Sequence, residues 1–120
     1  MLHNKNIILN ILTSYFWDDI VKHVGQYVID MESNELERIF HDQIDYAELV
    51  GINEMKVIDY TVEKEEYFSG LLSIDFEMEG FSYWDKEDYS VGFSDMSTMF
   101  LFSFCVRNRE YAEFELVNLV

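Results

Sequence analysis

The chain has 120 residues, 49% of them hydrophobic and 17% aromatic, with 24 Asp and Glu against 8 Lys and Arg for a formal net charge of -16. A chain of this length buries roughly two thirds of its unfolded surface in one core, and its apolar content excludes global disorder. The charge lies well beyond the roughly 2 to 8 that suffices for solubility. It excludes direct binding to a nucleic-acid backbone or an anionic membrane, because no basic patch is present to release counterions.

Cys105 is the only cysteine, so an internal disulfide and the disulfide-scaffold class are excluded. Proline is absent, and slow prolyl folding phases are not expected. The start MLHNKNIILNIL lacks the basic region and small-residue cleavage site of a signal peptide. No apolar run reaches the roughly 18 residues that span a bilayer. These features predict a cytoplasmic protein forming a single domain over residues 1–120, with no repeat or linker.

In chain order, residues 5–31 read mainly as helix. Ile7, Ile8, Ile11 and Leu12 begin a three-and-four spacing that Trp17, Ile20, Val21, Val24, Tyr27, Val28 and Met31 continue. The run fits one helix or two, with Ser14 a candidate cap for a second whose first turn carries Asp18 and Asp19. A further helix is expected from Asn34, paired with Glu37 as a cap, through the stripe Leu36, Ile39, Phe40, Ile44 and Ala47 to a stop at Gly51. Its outer face would carry Glu37, His41, Asp45 and Glu48.

From Met55 the period becomes two. Ile58, Tyr60 and Val62 alternate with Asp59, Thr61 and Glu63, and Lys64 to Glu66 form a turn. The stretch Ser69 to Trp84 is the clearest strand: Leu72, Ile74, Phe76 and Met78 fall on one face, and Ser73, Asp75, Glu77 and Glu79 on the other. Asp85 to Asp88 form a second turn, followed by a short strand at Tyr89 to Phe93. Met99 to Val106 is apolar on both parities, which predicts an interior strand covered on both sides. Ala112, Phe114 and Leu116 alternate with Glu113 and Glu115 in the last strand. The expected fold is α+β: N-terminal helices packed on one face of a four- to five-stranded antiparallel meander sheet, with residues 1–51 mainly helical and 55–120 mainly sheet.

Carboxylates at polar parity, Asp59, Glu63, Asp75, Glu77, Glu79, Glu113 and Glu115, would carpet one sheet face if the strands align. Like charges opposite one another cost up to about 1 kcal/mol per pair, a cost that a basic partner relieves. The plain alternative is a solvated face that keeps sheet edges from aggregating. Tyr83 and Trp84 stand among Asp85, Glu87 and Asp88, aromatic anchors ringed by charge as in an interface hot spot, or rings that close the end of the core.

Asp19 with His23 and Glu37 with His41 are four apart on helical segments, but on polar faces, whereas metal sites in bundles point inward. Cys105 reads as a core filler, and His3, His23 and His41 sit in no catalytic motif. No phosphate-binding or dinucleotide glycine loop is present, and no cofactor is expected.

The expected function is therefore that of a small acidic binding protein that neutralises a basic, nucleic-acid-processing partner. Its size and charge are those of immunity proteins against nuclease toxins and of phage anti-restriction and anti-CRISPR inhibitors that mimic DNA. The alternatives are a small metal-dependent enzyme, or an accessory subunit whose acidic surface only solubilises it.

Overall fold

A computed structural model describes residues 3–119. Within them, helices α1 (Lys5–Tyr15), α2 (Trp17–Ile29) and α3 (Ser33–Phe40) precede strands β1 (Tyr46–Glu63), β2 (Tyr67–Trp84), β3 (Glu87–Arg107) and β4 (Glu110–Asn118). The strands form one antiparallel sheet in the order β1-β2-β3-β4, with the helices packed against it. This is the expected α+β meander.

The N-terminal helical run is two helices. The Asn4 side chain caps α1 by accepting the Ile7 N–H at 2.9 Å. The break falls at Phe16, whose ring stacks on Phe114 at 4.7 Å and lies 5.4 Å from Phe104. A ring drawn into the sheet at that position takes the backbone out of the helix. α2 then restarts with Asp18 and Asp19 in its first turn, where carboxylates favour the dipole.

The next segment departs from expectation. α3 ends at Phe40, and His41 turns left-handed with φ 57°. The Asp42 carboxylate then accepts the Gln43 N–H at 2.8 Å, a local bond that competes with helical pairing. Ile44 and Ala47 are buried as the apolar stripe required, but from a loop and from β1. Asn34 is not the cap: Glu32 holds that position without a side-chain bond, and the Asn34 side-chain Oδ1 accepts the Glu35 N–H instead. Gly51, expected as a helix stop, lies in β1, which begins nine residues before Met55.

β1 buries Met55 and Val57, then Tyr60 and Val62 are half-buried, with Ile58 and Asp59 both exposed between them. Beside that change of parity β2 carries Gly70, where a Cβ would come within 2.2 Å of the Asp59 carbonyl oxygen and 2.8 Å of Tyr60 Cα. Backbone atoms cannot yield, so only glycine fits. β2 otherwise alternates as read: Leu72, Ile74, Phe76 and Met78 are fully buried, and Ser73, Asp75, Glu77 and Glu79 are half-buried.

The strand expected at Tyr89 to Phe93 and the interior strand at Met99 to Val106 are one element, the 21-residue β3. Its two apolar parities are covered unequally. Phe100, Phe102 and Phe104 are buried, while on the other parity Met99 and Leu101 are exposed and only Cys105, beside the bulge, is buried.

The hairpin turns use left-handed residues other than glycine. Lys64 and Glu65, Asp85 and Lys86, and Asn108 and Arg109 all have φ between 50° and 70°, the geometry that matches strand twist in tight hairpins. Glu113 has φ 55° inside β4, where the pairing passes from Ser103 with Glu115 to Cys105 with Ala112. Two residues of β4 thus oppose Phe104 in a β-bulge.

The chain divides into two compact units. One gathers the chain up to Ile20, Glu54–Ile74 and the chain from Ser97 onward; the other gathers Val21–Asn53 and Asp75–Met96. In the first, Phe104 is the hub, with the rings of Phe16, Phe68, Phe102 and Tyr111 between 4.8 and 6.3 Å from it. The Tyr60 hydroxyl donates to the His3 carbonyl at 2.7 Å, and the His3 ring stands edge-on to Phe68 at 5.2 Å. In the second, Tyr27 meets Phe76 edge-on at 6.3 Å, and Gly80 makes room for Phe40 and Ile44, both 3.1 Å from where its Cβ would lie.

Candidate partner-binding surface

The second unit assembles a site around the β2–β3 hairpin. β2 carries Phe81, Tyr83 and Trp84 to the turn Asp85-Lys86, and β3 leaves it with Glu87, Asp88 and Tyr89. Tyr46, the first residue of β1, stacks on Phe81 at 5.0 Å and lies 5.6 Å from Tyr83. Its hydroxyl donates to Asp88 at 2.6 Å. Accepting that proton bond and adding negative charge nearby, Asp88 pushes the Tyr46 phenol up from 10.0 to about 12, with burial second among the causes. The neighbouring Asp45 accepts the Tyr83 N–H at 2.6 Å and donates its own N–H to the Phe81 carbonyl at 2.9 Å.

These bonds hold the base of the hairpin and leave its rings outside. Tyr83 is 60% and Trp84 68% exposed, so they do not close the end of the core. Trp84, Glu87 and Tyr89 line an open recess of about 300 Å³. Asp85, Glu87 and Asp88 are exposed around it, as are Phe93 and Asp95 further along β3. Five of the predicted residues, Tyr83, Trp84, Asp85, Glu87 and Asp88, therefore come together. The Tyr46 and Asp45 supports lay outside the prediction, since the sequence placed them at the end of a helix. The signal that could have found them is Tyr46 itself, an aromatic four residues past a run of poor helix formers.

Asp75, Glu77 and Glu79 follow one another on β2 of the same unit, half-buried, and none of them pairs with a cation among the described residues. The first unit holds the remaining four. Asp59 and Glu63 are exposed on β1, and Glu115 faces Ser103 from β4. Glu113 is engaged at the bulge: it accepts the Cys105 thiol at 3.3 Å and pairs with Arg107 at 3.2 Å. Burial first, and the Glu113 bond second, push the Cys105 thiol up, which keeps it protonated and a poor nucleophile. Along β3 that parity carries Asp95 but then Ser97, Met99, Leu101, Ser103 and Cys105, so the carboxylates do not continue on this strand into the first unit.

The paired helical positions form no metal centre. Asp19 lies in the first turn of α2 and His23 within it; Glu37 is on α3, and His41 is its left-handed cap. Among the described residues no group of three or more His, Cys, Asp or Glu is placed to hold a metal ion, and no helix is long and apolar enough to cross a membrane. The chain matches no family model, no curated protein and no solved structure.

Proposed function

We propose that the chain is a stoichiometric inhibitor that binds a basic protein, in the cytoplasm and without catalysis, and occupies the surface with which that partner engages nucleic acid. The observation that carries this reading is the β2–β3 hairpin, where Tyr83, Trp84 and Tyr89 stand exposed among Asp85, Glu87 and Asp88. The few residues that carry most of the energy of a protein interface are enriched in Trp and Tyr, and surrounding carboxylates select a cationic partner and speed its approach. The three uncompensated carboxylates of β2 and the net charge of -16 act in the same direction. A nuclease or other nucleic-acid-binding protein is the partner class, since its phosphate-binding surface is basic.

The test is capture of partners from the native host on the tagged chain, washed at low and then high salt, beside a Tyr83→Ala, Trp84→Ala double variant. One basic protein retained near one-to-one, weakened by salt and by the double variant, is the expected result. The same retention by the double variant would remove the hairpin from the interface. Retention that salt does not touch would remove the charge argument.

A further inference from the structure

The first unit has a second recess, of about 380 Å³, lined by outward-parity residues of its strands together with Gly70 and Phe102. All four strands contribute to it: Asp59 and Thr61 from β1, Tyr67 from β2, Leu101 and Ser103 from β3, and Val117 from β4. The hydroxyls of Thr61 and Ser69 meet at 2.9 Å across β1 and β2, and Leu101 pairs directly with Val117 across β3 and β4. Tyr67, Leu101 and Val117 are 45%, 44% and 51% exposed, three apolar side chains interspersed with Thr61, Ser69 and Ser103 on a face that a solvated antiparallel sheet would make wholly polar.

The charges around these side chains identify what fits them. Asp59 stands in the wall, Glu115 lies two residues before Val117 on β4, Glu63 is two beyond Thr61 on β1, and no basic residue lines the recess. Arg107 is already paired with Glu113. A second copy of this chain would bring the same carboxylates against each other between partners of charge -16, and an anionic membrane would be repelled in the same way.

We infer that this recess is a docking groove for a basic amphipathic peptide segment of a partner protein, whose apolar row covers Tyr67, Leu101 and Val117 while flanking Lys or Arg side chains reach Asp59, Glu63 and Glu115. The surface shares no lining residue with the recess of the β2–β3 hairpin and does not depend on the role proposed for it. It combines apolar contact with charge selection, so neither feature alone recruits the segment.

Protein labelled at the Leu and Val methyls and at the tryptophan indole nitrogens, titrated with a synthetic peptide of alternating leucine and lysine and followed by nuclear magnetic resonance, tests the assignment. The Leu101 and Val117 methyl signals should move to saturation. A peptide with glutamate in place of lysine should leave them in place, and oligolysine should bind about fivefold or more weakly. Leu101→Thr should weaken the leucine–lysine peptide by a similar factor, and Val117→Thr, close in shape and on the outer strand, provides the same reading should Leu101→Thr not fold. Equal affinity for oligolysine, shifts confined to the Trp84 indole, or no saturable shift would overturn the groove. So would a dimer in sedimentation without peptide that Leu101→Thr dissolves, which would make a second copy the occupant.

Discussion

The unit that carries β4 gathers rings around Phe104 while leaving Tyr15 and Tyr67 exposed, and the unit that carries the β2–β3 hairpin leaves Tyr83, Trp84, Tyr89 and Phe93 exposed. Around Phe104 the rings of Phe16, Phe68, Phe102 and Tyr111 close a core. Around Phe81, the ring of Tyr46 stacks on one that leads to Tyr83 and Trp84 in solvent. Aromatic content alone therefore does not say what a ring does. Rings at inward strand positions hold the fold, whereas rings past the last covered position stand in solvent.

Substitutions separate the two kinds of ring. Phe104→Ala should cost about 3–5 kcal/mol, the range for a large aromatic removed from a packed core, and urea unfolding should show it as a much lower midpoint; a loss under about 1 kcal/mol would contradict the hub. Gly70→Ala comes next, at about 1–3 kcal/mol, since the added methyl meets backbone of β1 that cannot withdraw. In the other unit Lys86→Gly should stabilise by roughly 0.5–1 kcal/mol, by relieving the left-handed φ of 70° that lysine holds in the hairpin turn. Thermal unfolding reads that gain, and a decrease would show that the lysine side chain matters to the turn. Trp84→Ala should change stability by no more than about 0.5 kcal/mol, as expected of an exposed side chain, while it lowers affinity for the captured partner.

The smallest effect is invisible at neutral pH. Because the folded-state pKa of Tyr46 is raised, from 10.0 to about 12, its stabilising contribution is complete below pH 10 and is lost as pH rises through about 12. Phenolate absorbance should show one tyrosine titrating late, and Asp88→Asn should bring that titration back toward 10. If the substitution leaves the late titration in place, Asp88 is not its main cause.

Much of the candidate hairpin site was legible. Tyr83, Trp84, Asp85, Glu87 and Asp88 are contiguous, so reading Asp85 to Asp88 as a turn was enough to gather them. Tyr46 and Asp45 were not legible, because Ile44 and Ala47 continue the helical spacing of Leu36 and Phe40. Burial at that spacing is the same from a helix as from a loop followed by a strand. The role of Glu113 was hidden too, since the bulge that turns it toward Cys105 and Arg107 is a property of two strands pairing out of step.

The sequence by itself determined the α+β layout, the acidic sign of the surface and both faces of β2, but placed the change from helix to strand too late, at Met55 instead of Tyr46. What it determined follows from period and composition, which are local. Only the tertiary structure decided which apolar parity of β3 the helices cover. Met99 to Val106 offers rings on one side and Met99 and Leu101 on the other, and no local preference distinguishes them. In the first unit Phe16, at the end of α1, packs on Phe104 and Phe114, so Phe100, Phe102 and Phe104 became core and Leu101 was left at the surface, paired with Val117.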